Sequence, residues 1–164
     1  MEGERNKAMN RRIINRVYVD GCAIGGLFNQ YAEQTKPFWD AVQKGEITII
    51  VSDVFDQEVE KAPQCVRDFF DALPESQIER VVSTDESDTL AEKYIAEKVV
   101  GPKSLADCKH IALATLANAG VIVSWNFSHM VNKTRILGYN GINMKFGYPQ
   151  IDIRTPYEVI NDET

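Results

Sequence analysis

Short apolar strings alternate with stretches of helical spacing along almost the whole chain, and this alternation limits the fold more than any other feature. Residues 16–20, 46–51, 78–82, 121–124 and 151–153 each read as a strand. The first two contain VYV and ITIIV, continuous apolar runs that suit strands covered on both faces. Helices are predicted over 53–61, 64–73, 88–99, 104–118 and 127–137. Strands that alternate with helices imply an α/β fold with a parallel sheet and right-handed crossovers. In such sheets ligands bind beyond the carboxyl ends of the strands.

Local signals place the boundaries. Ser52 is a good N-cap and Pro63 a stop. Leu27, Phe28, Tyr31, Phe38 and Trp39 read as helical core contacts interrupted at Pro37. Gly21, Gly25 and Gly26 suggest a tight open turn. The string from Ser83 to Asp88 caps the helix over 88–99, Gly101-Pro102 breaks the chain, and Gly120 ends a buried helix. Residues 138–149 read as a glycine-rich excursion, and Thr155-Pro156-Tyr157-Glu158 as a capping box. A chain of 164 residues fits one domain. That domain is expected over 16–160, behind a flexible basic segment at 1–15.

Acidic residues sit where the strands end or helices begin: Asp20 in VYVDGCAIGG, Glu58 in VSDVFDQEVEKAP and Asp107 in SLADCKHIALAT. Asn126 follows the fourth strand in VSWNFSH. All four can converge at one rim of the sheet. Carboxylates packed together repel unless compensated, and a divalent cation compensates them directly. An oxygen-only donor set favours Mg²⁺ or Mn²⁺, with Asp20, Glu58 and Asp107 as ligands. A metal-dependent hydrolase acting on phosphodiesters is the leading reading. His110 lies three residues after Asp107 on the same helix face, where it orients Asp107 or a phosphate, or serves as a hydrogen-bonded structural residue. Ser124 and His129 are further accessory candidates.

Charge and cysteine usage exclude other classes. The net charge of −6 argues against broad nonspecific nucleic-acid binding. Local basic density remains at Arg5, Lys7, Arg11, Arg12 and Arg16, and at Lys103, Lys109, Lys133, Arg135 and Lys145. The three cysteines, Cys22, Cys65 and Cys108, form no C-x-x-C pair, which argues against a disulfide scaffold or a structural zinc site. They read as small buried side chains in reduced form. No apolar run is long enough to span a membrane. The N-terminal string MEGERNKAMNRR lacks the apolar centre of a secretory signal, so a cytoplasmic location is expected. The glycines after the first strand make no G-x-G-x-x-G, and no Walker lysine is present, which disfavours a nucleotide-binding protein.

These strings together resemble the motifs of the PIN-domain family over roughly residues 16–160. VYVDGCAIGG resembles the first motif, SDVFDQEVEKAP the second and ADCKHIALAT the third, with Asp20, Glu58 and Asp107 at the acidic positions. VSWNFSHM resembles the fourth motif, and IDIRTPYEVI the closing strand and helix. The resemblance implies a Rossmann-like three-layer α/β/α sandwich with strand order 3-2-1-4-5. It also implies Mg²⁺- or Mn²⁺-dependent endoribonuclease activity. Small members are mostly VapC-type toxins of type II toxin–antitoxin pairs, which implies an RNA substrate, a small antitoxin partner and a homodimer. Two departures motivate an alternative, a catalytically weakened PIN-like RNA- or partner-binding protein. The first motif reads D-G-C where many members carry D-[ST]-[SN], and the fourth offers Asn126 and His129 in place of an acid.

Overall fold

Five short strands pair in the order β3-β2-β1-β4-β5, the order that the resemblance implies. They are β1 (Arg16–Val19), β2 (Thr48–Ser52), β3 (Ile78–Val81), β4 (Val121–Val123) and β5 (Asp152–Arg154), and every pairing is parallel. The structure, a computed structural model, describes residues 15–161. The expected basic segment, with Arg5, Lys7, Arg11 and Arg12, lies outside the described residues apart from Asn15. The carbonyl of Asn15 accepts from the Thr48 amide at 2.6 Å. β1 is central, with Tyr18 opposite both Ile50 of β2 and Ile122 of β4.

The period of two along the strands divides the interior into two cores. Val17, Val19, Ile49, Val51, Val121 and Val123 face one side. They meet α2 (Ala32–Gln43), α4 (Gln64–Asp71) and α8 (Pro156–Asn161) through Phe38, Trp39, Val66, Phe70 and Val159. Tyr18, Ile50, Ile122 and Ile153 face the other side. There they meet α5 (Asp85–Ala96), α6 (Leu105–Leu116) and α7 (Lys133–Lys145) through Leu90, Tyr94, Ile111, Tyr139 and Ile142. The result is three layers. The remaining helices are α1 (Cys22–Gly25), which continues into a 3₁₀ turn at Gly26–Phe28, and α3 (Asp53–Glu60). Among the described residues, no helix is long and apolar enough to cross a membrane.

The predicted caps form where Ser, Thr and Glu supply them. Ser52 Oγ accepts from the Phe55 amide at 3.2 Å, and Thr155 and Glu158 exchange the two bonds of a capping box. Gly120 ends the turn after α6 with φ +80°, a left-handed conformation that glycine adopts without strain.

Five local expectations are corrected. α2 runs through Pro37, since burial of Phe38, Trp39, Ala41 and Val42 on one face outweighs the missing amide hydrogen bond. Within the stretch read as core, Phe28 is 50% exposed. α5 starts at Asp85, three residues early, because Thr84 and Ser87 form the capping box. Residues 127–132 are turns, and α7 instead occupies most of the expected glycine-rich excursion. Gly138 is used there for close approach: a Cβ would stand 2.7 Å from Val99 Cγ1. Tyr139, Ile142 and Asn143 bury the face that holds α7 down. Gly21, Gly25 and Gly26 do not make an open turn; all three are helical, with φ of −64°, −54° and −57°.

Candidate active site

Asp20 leaves the end of β1, and its amide reaches the Val123 carbonyl of β4 at 3.5 Å. Its side chain is buried at 4% exposure. Oδ2 accepts from Ser124 Oγ at 2.6 Å, and Oδ1 from the Ala23 amide at 3.2 Å and the Cys22 thiol at 3.0 Å. Burial pushes the Asp20 carboxyl above its ordinary value, against the charge of His110 and the bonds from Cys22 and Ser124.

Glu58 projects from the second turn of α3 and is fixed by two donors. The Gly21 amide lies 3.3 Å from Oε1, and His110 Nε2 lies 2.5 Å from the same oxygen. Burial acts to raise the Glu58 carboxyl, but the His110 bond and charge outweigh it and the group titrates below its ordinary value. His110 sits on α6 and is 1% exposed. Burial alone would lower its imidazole, yet Glu58, Asp20 and Asp107 together raise it above the ordinary range. Its other nitrogen, Nδ1, is 2.7 Å from Tyr18 Oη, which is itself 2.7 Å from Ser52 Oγ. One chain of hydrogen bonds thus runs from the cap of α3 through the centre of the sheet to Glu58.

Asp107 occupies the first turn of α6. Burial raises its carboxyl too, opposed by the charges of His110 and His129 and aided by that of Glu58. His129 Nδ1 is 3.5 Å from Asp107 Oδ2. Asn126 Oδ1 accepts from the Ser128 and His129 amides, at 3.2 and 3.1 Å, so Asn126 shapes the turn that presents His129. All four predicted acid-rim residues therefore gather past the ends of β1, β2 and β4.

Other expectations change. Of the two readings of His110, the hydrogen-bonded structural one holds, through Glu58 and Tyr18, and the residue acts on Asp107 by its charge. Tyr18, Ser52 and Cys22 were not among the sequence candidates. Cys22, two residues after Asp20, holds that carboxylate: its thiol donates to Asp20 Oδ1 and its sulfur accepts from the Trp125 amide at 3.2 Å. Although Cys22 as a whole residue is exposed, desolvation of its sulfur among Asp20, Ser124 and Trp125 and the neighbouring Asp20 charge push that thiol up, so it stays protonated. Cys108 is buried as expected, whereas Cys22 and Cys65 are exposed, and all three are unbridged. Several basic residues considered for phosphate contact have other partners. Arg16 pairs with Glu79 at 2.7 Å, Lys145 with Glu97 at 2.8 Å, and Arg135 donates to the Val99 carbonyl.

The chemistry of the donor set suits a hard divalent cation. Burial raises the carboxyls of Asp20 and Asp107, and the charge of Glu58 adds to the rise of each. The side chains as posed do not close around an ion. Among the described residues, no group of three or more His, Cys, Asp or Glu is gathered in a geometry that could hold a metal. Glu58 is drawn instead onto His110, and Asp20 onto Ser124 and Cys22.

No protein-family model matches the chain, and no curated protein matches its sequence. Its structure is similar to a chain in the crystal structure of VapBC2 from Rickettsia felis bound to a DNA fragment from their promoter. The TM-score is 0.51, over 85% of this chain and 98% of that chain, at 14% identity. At that identity the likeness concerns the fold alone, which is α/β, three-layered and PIN-like.

Proposed function

We propose that the protein is a Mg²⁺- or Mn²⁺-dependent endoribonuclease and the toxin of a toxin–antitoxin pair. The observation that carries this reading is the gathering of Asp20, Glu58 and Asp107 at the carboxyl rim of a PIN-like sheet, with two of the three raised by burial. The toxin–antitoxin part rests on the motif resemblance and on the fold neighbour, itself a VapBC2 structure.

Asp20, Glu58 and Asp107 would hold the ion. Bound there, it would supply an activated water and polarise a phosphoryl oxygen. Ser124 and Cys22 orient the Asp20 carboxylate. Gly21 and His110 position Glu58, and His129 and Asn126 border Asp107. The partners that follow from this reading are RNA, a small antitoxin that covers the acidic pocket, and a second copy of the chain.

The test is RNA cleavage with titrated Mn²⁺ or Mg²⁺, together with metal-dependent thermal unfolding. Asp20→Asn and Asp107→Asn should each lower cleavage by more than about 100-fold, since even outer-shell partners of a metal are worth about 10–100-fold. Cleavage that persists in both variants would end this mechanism. The commitment of Glu58 to His110 favours a second reading, a PIN-like protein that binds RNA or a partner without cutting. It predicts binding with no divalent-dependent cleavage, even at high Mn²⁺.

A further inference from the structure

The segment 124–129 leaves β4 and passes the acidic pocket twice. Ser124 Oγ donates to Asp20 Oδ2, and His129 Nδ1 lies 3.5 Å from Asp107 Oδ2. Between these contacts the chain carries two aromatic rings, Trp125 and Phe127. The Trp125 indole stacks on Tyr31, with centroids 4.3 Å apart and planes within 5°. Its Nε1 donates to Thr35 Oγ1 at 2.9 Å. Gly26 lies so close that a Cβ there would stand 2.5 Å from the indole Nε1. A stack, a hydrogen bond and a glycine thus lock the indole in place. Phe127 leans on both rings, 6.1 Å from Tyr31 and 6.0 Å from Trp125, and is left 47% exposed.

A rigid aromatic cluster with one half-exposed ring beside a phosphodiester-cleaving pocket has a chemical use. The net charge of −6 gives little general attraction for phosphates, and Arg16, Arg135 and Lys145 have protein partners. Stacking on bases would add to whatever Lys103, Lys109 and Lys133 contribute at the phosphates. Unpaired bases stack on aromatic side chains whatever their identity, whereas bases inside a duplex present no free face. Resting on the ribonuclease reading above, we propose that Phe127, backed by the Tyr31–Trp125 stack, seats an unpaired base beside the scissile phosphate.

The experiment uses intrinsic fluorescence of the intact chain, with Ca²⁺ in place of Mg²⁺ to suppress cleavage. The chain has two tryptophans, and Trp39 is 1% exposed, so a ligand-dependent change reports on Trp125. An unstructured RNA oligonucleotide, an abasic strand of equal charge and the RNA duplex are titrated in turn. The single strand should quench the emission. Phe127→Ala and the abasic strand should each weaken binding by about tenfold. Phe127→Tyr should restore it, and in cleavage assays with Mg²⁺ or Mn²⁺ the loss in Phe127→Ala should fall on KM rather than kcat. If wild type cleaves RNA but Phe127→Ala or the abasic strand binds as well as the parent pair, the stacking proposal is overturned and the ribonuclease reading stands. If RNA is neither bound nor cleaved, both fall. Should a protein partner then shield Trp125 from a soluble quencher, the rings are a protein interface instead.

Discussion

His110 Nε2 lies 2.5 Å from Glu58 Oε1, so the helix that carries Asp107 also carries the group that neutralises its acidic neighbour. This contact links α3 to α6 across the rim, and through Tyr18 it links both to the central strand.

The ion pair sets a pH signature. His110 titrates above its ordinary value of 6.5 in the folded chain, so its contribution is complete below 6.5 and is lost as pH rises through the raised value. Glu58 titrates below its ordinary value of 4.5, so its contribution is complete above 4.5 and is lost as pH falls through the lowered value. The stability gap between wild type and His110→Gln should therefore be widest between pH 4.5 and 6.5 and narrow on both sides. With Glu58 40% exposed, solvent screening keeps the maximum near about 1–2 kcal/mol. Thermal unfolding across pH 3–9 measures it; a gap independent of pH would mean that the contact carries no charge.

Ser124→Ala removes the 2.6 Å donor to Asp20 Oδ2. Asp20 is already raised by burial, and without this donor it should rise further. On the ribonuclease reading, the acidic limb of the cleavage profile should shift to higher pH, and activity near its optimum should fall by about 10–100-fold. An unchanged limb would show that Ser124 is a packing residue only.

Two glycines should respond differently to alanine. A Cβ on Gly21 would stand 2.9 Å from Glu58 Cβ, and Gly21 already has a helical φ of −64°. On the ribonuclease reading, Gly21→Ala should displace Glu58 and reduce cleavage, and because Glu58 Cβ cannot swing away it should also lower stability by shifting α3. A Cβ on Gly26 would meet both Trp125 and Thr35, at 2.5 and 2.6 Å. Gly26→Ala should cost about 1–3 kcal/mol of stability by overpacking. Denaturant melts and cleavage assays of the two variants separate the effects.

Asn143 is fully buried on α7, accepting from Tyr94 Oη at 2.5 Å and donating to Thr115 Oγ1 and the Pro149 carbonyl. Asn143→Ala leaves these groups without their partner inside the core. The loss should be about 2–4 kcal/mol, read from the shift in denaturation midpoint.

Much of the fold was legible because it is written in local patterns. The strands at 16–20 and 121–124 are apolar runs too short for helices, and Ser52 and Thr155 cap helices through their own neighbours. That Asp20, Glu58 and Asp107 stand at the same rim of the sheet was legible from their places after strands and in first or second turns. What was missed depends on distant partners. Pro37 stays inside α2 because of what Phe38 and Trp39 bury, and Gly138 is helical because it faces Val99. Tyr18 read as a buried strand residue, and so it is, but its hydroxyl joins Ser52 to His110. A tyrosine flanked by valines in a central strand was the available signal, because a buried hydroxyl requires a partner. The role of Cys22 had a weaker signal, its position two residues after Asp20.

The placement of β1 between β2 and β4 has a consequence for biosynthesis. Asp20 is made early, yet its partner Ser124 lies 104 residues further along the chain, and β4 itself pairs on to β5 at Asp152–Arg154. A growing polypeptide therefore carries Asp20 through the synthesis of the next 104 residues without the partner that β4 delivers. The pocket around Asp20 can close only once β4 has been made and has found its place beside β1.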